Sequence, residues 1–182
     1  IWTGGDPDAG DTVTYNVYLD TNNPPSSNVS DNQVGTSYQS STFAYNTTYY
    51  WRVRDTDIDG VGTNGTWFNF SFTTEIATPA LTAPANAATG QSITPTLTWT
   101  LAGGTVGVTY DLEYHTGGGF PGTFVLGITS PYSSTTFPYN TTVTWRIIAK
   151  KAGEANKTSG SRTFTTLLAT PVQTSPANAS SA

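Results

Sequence analysis

The sequence predicts an all-β protein built from two β-sandwiches in tandem, and three observations support this prediction. Short stretches alternate apolar and polar residues with the two-residue period of a β-strand. Clusters of Gly, Pro, Asn and Ser separate these stretches, and no stretch shows the period of a helix. An internal repeat divides the 182 residues into copies whose length suits one sandwich each.

Three pairs of matching segments define the repeat. They are 77–87 with 169–179, 72–74 with 164–166, and 45–53 with 139–147. The first two pairs are separated by 92 positions and the third by 94, which is expected for one fold whose loops differ by a residue or two. The repeat predicts a first domain at 1–76, a second at 77–168, and at 169–182 a linker with the first strand of a further repeat.

Within each repeat, alternating residues define the strand faces that are expected to pack in the core. One such face combines Val13, Tyr15, Val17 and Leu19, and three residues around a Trp form another in each repeat: Tyr49, Trp51 and Val53, and Val143, Trp145 and Ile147. Trp2 and Trp99 also recur in phase, so Trp2, Trp51, Trp99 and Trp145 are predicted core residues. Trp67 alternates oppositely to Phe68, Phe70 and Phe72, so one of these two sets must face outward.

These residues resemble the fibronectin type III fold, and particularly its branch in bacterial and archaeal surface proteins. The resemblance rests on the Trp near the end of the second strand (Trp2 and Trp99), the stretch 43–49, and the closing Phe-Thr-Thr. It covers nearly the whole chain and implies an immunoglobulin-like sandwich in an extracellular setting. It also implies that Tyr49 is a tyrosine-corner residue whose hydroxyl bonds to the upstream chain. The second repeat cannot form this hydrogen bond, because Val143 takes that place.

The repeats are out of phase with this fold at both ends. The first repeat begins at the second strand with Trp2, so it lacks strand A, whereas 171–176 supplies a strand A after the second repeat. Two alternatives follow. Either the chain is cut from a longer run of repeats, or the tail of one copy completes the first repeat of the next and builds a filament by donor-strand addition.

Composition excludes several classes of function. The net charge is −5 with only seven Lys and Arg residues, which disfavours binding to nucleic acid. The absence of Cys excludes disulfides and thiolate chemistry. No apolar run approaches the 18 residues of a membrane span. With 13% aromatic residues the chain holds enough apolar surface to fold.

Asn-X-Ser/Thr sequons are about twice as frequent as chance predicts, which favours an N-glycosylated surface protein. The same pattern also arises wherever an Asn-containing turn leads into a Thr-rich strand. The candidate asparagines are Asn28, Asn46, Asn64, Asn69, Asn140, Asn156 and Asn178.

Acidic residues cluster in two loops that share one pole of this fold, between strands B and C and between strands F and G. They are Asp6, Asp8 and Asp11 in the first loop, and Asp55, Asp57 and Asp59 in the second. Their oxygens would suit calcium, although the second loop lacks the distal Glu of a calcium loop and has Thr66 there. Solvated hairpins rich in Asp and Gly give the same pattern without any metal.

No residue pattern indicates an enzyme. His115 is the only histidine and, without Cys, cannot complete a catalytic triad or a usual zinc site. The leading hypothesis is therefore a non-catalytic structural segment of an extracellular surface protein or filament, with copies of itself or adjacent repeats as its partners. The alternative is an adhesin or a carbohydrate-binding accessory module. An exposed aromatic stripe would favour the alternative, and ends that complete one another would favour the structural segment.

Overall fold

The computed structural model describes residues 1–4, 12–40, 42–57, 67 and 69–172, and these form twelve β-strands in two compact units. The first unit contains residues 1–77 together with 102–106, and the second contains 78–101 and the residues from 107 onward. In the described ranges the strands are joined by turns and loops, and none of the described segments is a helix able to cross a membrane.

The first unit is built on one antiparallel sheet of four strands in the order β2-β1-β3-β4. The strands are β1 (Val13–Asp20), β2 (Asn28–Gln33), β3 (Thr48–Asp57) and β4 (Phe70–Thr73). In the register of this sheet Val17 pairs with Val53 and Leu19 with Trp51, while Trp51 also pairs with Phe70. This register brings the alternating apolar residues of β1, β3 and β4 to one face.

The second unit contains a larger sheet, in the order β6-β12-β10-β8-β9 with β11 paired to β10, and a separate pair of strands, β5 and β7. The strands are β5 (Ala80–Ala83), β6 (Ala88–Gln91), β7 (Thr98–Thr100), β8 (Val108–His115), β9 (Thr123–Ile128), β10 (Thr142–Lys151), β11 (Lys157–Thr158) and β12 (Arg162–Thr166). β6 runs parallel to β12, and all other pairs are antiparallel.

A complete hydrophobic core fills the second unit between its two layers. Ten residues with at most 8% of their surface exposed form it: Leu81, Leu97, Trp99, Leu112, Ile128, Phe137, Val143, Trp145, Ile147 and Phe164. They come from both layers: β5 and β7 supply Leu81 and Trp99, Leu97 directly precedes β7, and the strands of the larger sheet and the loop before β10 supply the others.

The predicted all-β, immunoglobulin-like fold class is confirmed: the second unit has both layers of the sandwich, and the sheet of the first unit corresponds to β8, β9, β10 and β12. The strands β5, β6, β7 and β11 have no counterpart strand in the described first unit. The further strand A predicted within 169–182 falls largely outside the described residues, and 169–172 form no strand.

Candidate functional site: an open apolar groove

The first unit contains an apolar groove with a volume of about 320 Å³ on the inner face of its sheet. Aromatic and aliphatic side chains form most of its surface, and Gln39 and Ser40 add an amide and a hydroxyl. The lining residues are Ile1, Trp2, Val17, Leu19, Tyr38, Gln39, Ser40, Phe43, Trp51 and Phe72. Such a surface can bind apolar side chains and offers a few hydrogen bonds to orient them.

The strands of the sheet position these side chains by their alternation. Leu19 and Trp51 face each other across β1 and β3, and Trp51 stacks on Phe70 of β4 with ring centroids 4.8 Å apart. Phe43 contacts the ring of Phe72 edge-on at 5.1 Å. The groove is therefore lined by packed rings, of which Trp51 and Phe72 lie on β3 and β4, whereas Phe43 lies on the loop before β3.

The same ring contacts recur in the second unit, which shows that these aromatic residues occupy core positions. Phe137 and Phe164 meet edge-on at 5.4 Å, as Phe43 and Phe72 do at 5.1 Å. A second ring contact also recurs in both units: the rings of Trp2 and Tyr15 are 5.6 Å apart, and those of Trp99 and Tyr110 are 5.5 Å apart.

Burial differs sharply between these equivalent residues. Phe72 and Phe43 are each 38% exposed, whereas Phe164 is 0% and Phe137 is 3% exposed. Trp145 is fully buried, while its counterpart Trp51 is only partly buried. The groove is therefore an uncovered part of a core rather than a separate binding platform.

Strand β5 provides the missing cover in the second unit. Leu81 of this strand pairs with Trp99 of β7, is 8% exposed, and belongs to the core cluster. Leu97 adds a second apolar side chain and is 1% exposed. By the repeat alignment, the counterparts of both residues would lie before Ile1.

The backbone at Trp2 is hydrogen-bonded to its neighbour on one side only, among the described residues. Trp2 N donates to Thr36 O at 3.1 Å, just as Trp99 N donates to Ser130 Oγ at 3.1 Å in the second unit. At the other edge of β7, Ala80 and Leu81 pair with Thr100 and Trp99. Within the described first unit no strand pairs with residues 1–3 at that edge, so the groove combines an apolar floor with a backbone edge suited to β-addition.

Sequence reasoning missed a threonine that clamps the turn before the long strand in each unit. Thr74 Oγ1 accepts a hydrogen bond from Thr47 N at 2.9 Å and donates to Ala44 O at 2.6 Å. Thr166 Oγ1 does the same with Thr141 N at 2.9 Å and Pro138 O at 2.7 Å. The repeated Phe-Thr-Thr contained the signal, because its last Thr is the clamp.

Tyr49 makes the upstream hydrogen bond that the family resemblance implies. Its hydroxyl oxygen accepts from Ala44 N at 3.1 Å. In the second unit, Val143 stands at this position and is fully buried in the core. The tyrosine corner is therefore replaced there by apolar packing, while the threonine clamp is kept.

Most of the predicted calcium site falls outside the described residues. This applies to Asp6, Asp8, Asp11 and Asp59, and to the side chain of Asp57. Strand β3 extends to Asp57, so Asp55 and Asp57 lie on this strand rather than in the loop after it. The described residues contain no group of three acidic or histidine side chains that could hold a metal ion. Calcium binding stays a prediction, which calorimetric titration with Ca²⁺ would check.

The sequons lie in different environments. Asn28, Asn69, Asn140 and Asn156 are exposed, whereas Asn64 and Asn178 fall outside the described residues. Asn46 is partly buried, and its Nδ2 donates to Gly104 O at 2.6 Å and to Val106 O at 3.3 Å within the first unit. Glycosylation stays a prediction at each of the seven positions.

The outer faces of the sheets carry cations packed on aromatic rings. The Arg52 guanidinium lies 4.1 Å from the Trp67 ring centroid and 5.2 Å from that of Tyr18. Trp67 is therefore the outward-facing member of its alternating set, while Phe72 lines the groove. Arg146 lies 3.8 Å from the ring centroid of Phe120 in the second unit.

A buried carboxylate lies beneath this second cation. Glu113 is 1% exposed, and its Oε2 accepts from Arg146 Nε at 2.7 Å while its Oε1 accepts from Gly122 N at 3.0 Å. Burial opposes ionisation, but the hydrogen bonds from Arg146 and Gly122 and the charges of Arg146 and His115 outweigh it and lower the pKa of Glu113. His115 ends β8 and packs edge-on against Phe120 at 4.9 Å.

No protein-family model and no curated protein matches the chain. One similar solved structure is the crystal structure of chicken CNTN1 FN1-FN3 domains, with a TM-score of 0.47 and 13% sequence identity. The alignment covers 88% of this chain and 59% of that chain, so this chain spans about three fifths of the length of that structure. The strand order and the core of the second unit themselves define a fibronectin type III-like sandwich.

Proposed function

We propose that this chain is a non-catalytic structural segment of an extracellular surface protein or filament, of the bacterial or archaeal kind that its sequence resembles. Its sandwiches stack head to tail, and the first is completed by a β-strand from outside the described residues. The observation that carries this proposal is the groove, whose lining repeats the buried core of the second unit without the strand that covers it there.

Physical chemistry supports a strand as the occupant. A strand like β5 would bury the exposed parts of Phe43 and Phe72 by covering the groove. It would also pair with the open backbone edge at residues 1–3, which removes the aggregation hazard of an unpaired edge. Both effects are those of strand addition in other β-proteins.

A synthetic peptide with the sequence of 77–97 tests whether the groove accepts such a strand. We expect it to bind the full chain and to slow amide hydrogen exchange in 1–4 and in β4, measured by mass spectrometry. The matched control is the same peptide with Leu81→Ala, which should bind at least about tenfold more weakly because it lacks the apolar anchor. Equal binding of both peptides, or no protection at either segment, would refute the strand-acceptor function.

The alternative function, an adhesin or a carbohydrate-binding module, has less support among the described residues. Sugar platforms use aromatic rings whose faces are open, but the Trp67 ring is covered by Arg52. The exposed rings of Phe43 and Phe72 belong to core positions, as their buried counterparts indicate. Glycan-array binding by the full chain with the groove occupied by the 77–97 peptide would favour the alternative.

A further inference from the structure

We propose that the occupant of the groove is the C-terminal segment 169–182 of a second copy of this chain, bound in the register that the internal repeat defines. This inference rests on the proposed function, since it names the source of the completing strand. It also states which side chain enters the groove and which residue fixes the register.

The internal repeat identifies the tail as the strand that fits the groove. Segment 169–179 matches 77–87 at eight of eleven positions, including both prolines and the asparagine that follows the second proline. In the second unit, 77–87 contains β5, the strand that covers the core. The tail therefore has the sequence of a strand whose binding place is open in the first unit.

The two prolines and the asparagine select the register. A shift by one residue would turn every side chain to the opposite face and misplace all three. Asn86 shows why its position matters: its Oδ1 accepts from Thr163 N at 2.9 Å, and Ala87 N donates to Thr163 O at 2.8 Å. In the repeat alignment Asn178 corresponds to Asn86 and Ser71 of β4 to Thr163, so Asn178 would bind the backbone of Ser71.

The same register places Gln173 where the second unit has Leu81, facing into the groove. The groove of the first unit is more polar than an ordinary core, because Gln39 and Ser40 are among its lining residues. An amide on the incoming strand can hydrogen-bond to these two side chains, which offsets its desolvation. Val172 corresponds to the exposed Ala80 and would face solvent, and it is 81% exposed in the free chain.

Sedimentation equilibrium of the full chain over a range of concentrations tests the proposal. We expect concentration-dependent chains of copies, and a variant ending at Thr170 should remain a monomer. Gln173→Glu should weaken the association at least about tenfold because it brings a charge into the groove, whereas Val172→Glu should change it less than about threefold. Asn178→Ala should also weaken it. All three positions follow the last strand of the second unit, so we expect these variants to leave the folding of both units intact, which circular dichroism would verify.

Each other outcome overturns the proposal in a distinguishable way. Loss of association with Val172→Glu but not with Gln173→Glu would mean that the tail binds in a shifted register. Association that survives truncation at Thr170 would mean that another surface joins the copies. A monomeric full chain that binds the 77–97 peptide would keep the strand-acceptor function but assign the groove to a strand other than this tail.

Discussion

At the scale of single residues, hydroxyl groups form side-chain contacts between strands that charged groups form in many other proteins. Only 10% of the residues are Asp, Glu, Lys or Arg. Thr48 and Thr73 join neighbouring strands through their hydroxyls at 2.9 Å, and Thr142 and Thr165 repeat this contact at 3.0 Å. The abundant threonines therefore include specific cross-strand pairs, besides residues with a high strand propensity.

Thr166 provides a direct test of the threonine clamp. It is 2% exposed, so Thr166→Val would leave Thr141 N and Pro138 O without their partner in a site poor in water. We expect the free energy of unfolding of the second unit to fall by about 1–3 kcal/mol. Thr166→Ser keeps the hydroxyl and should cost clearly less. Urea denaturation monitored by Trp fluorescence would measure both, and a larger loss for Thr166→Ser than for Thr166→Val would show that the methyl group, rather than the hydroxyl, is what matters.

Glu113 predicts how the second unit responds to acid. Its pKa is lower in the folded state than in the unfolded chain, so ionised Glu113 stabilises the fold above its unfolded pKa of about 4.3. This contribution is lost as the pH falls from there through the folded pKa. Glu113→Gln should therefore lower stability at pH 7 and flatten the acid limb of the stability profile.

A partly exposed ion pair supplies the control for this pH experiment. Lys151 and Glu154 form an ion pair of 2.7 Å with side chains that are each 21% exposed. Glu154→Gln should change stability by less than about 0.5 kcal/mol at pH 7 because solvent screens such pairs. Thermal melts between pH 3 and pH 7 would compare the two variants. Parallel acid limbs for Glu113→Gln and the unmodified chain would show that another carboxylate controls the transition.

Two equivalent asparagines predict a difference in glycosylation. Asn46 and Asn140 both adopt the left-handed conformation, with φ of 46° and 48°, and both belong to sequons. A glycan attaches to Nδ2, and that atom of Asn46 already donates two hydrogen bonds, whereas Asn140 is exposed. Glycopeptide mass spectrometry of the natural protein should find Asn140 occupied and Asn46 unmodified. The reverse pattern would mean that glycosylation precedes formation of the Asn46 contacts.

At the scale of strands, periodicity predicted what the structure places in the core. Trp145 and Ile147 were expected on one face from their alternation, and both are fully buried on β10. Alternation predicts the core here because, in a strand with one buried face, apolar side chains must recur at every second residue. The long strands β1, β3 and β10 were the most readily predicted elements for this reason.

Features that depend on contacts between distant segments were not predicted. Glu113 alternates like a surface residue, but the hairpin of β8 and β9 brings Gly122 N to its carboxylate and β10 brings the Arg146 side chain. Asp55 was assigned to a loop because Asp favours turns, but its backbone pairs with Tyr15 within β3. Tertiary pairing decided the conformation at that position in place of local propensity.

At the scale of the whole chain, the two units have unequal cores. Ten hydrophobic residues cluster in the second unit, whereas the buried hydrophobic residues of the described first unit are Tyr15, Val17, Ile76 and Ala77. The first unit should therefore be the less stable one. We expect two unfolding transitions, with the first unit melting earlier.

The groove then predicts how to stabilise the first unit alone. A chain extended by a copy of residues 77–97 placed directly before Ile1 would supply the counterparts of β5, β6 and Leu97. Burying two Leu side chains and pairing the open edge should raise the earlier melting transition by at least about 5 °C, and the later transition should not move.

Differential scanning calorimetry of the extended chain resolves these transitions. The control carries Leu81→Ala and Leu97→Ala in the added copy only, so it has the same length but lacks the two apolar anchors. If the gain comes from filling the groove, the control loses most of it, because a strand without anchors contributes backbone pairing alone. If the earlier melting temperature rises equally in both extended chains, the added segment stabilises the first unit by pairing with its open backbone edge. The groove would then be a consequence of the missing strand without being a binding surface for apolar side chains.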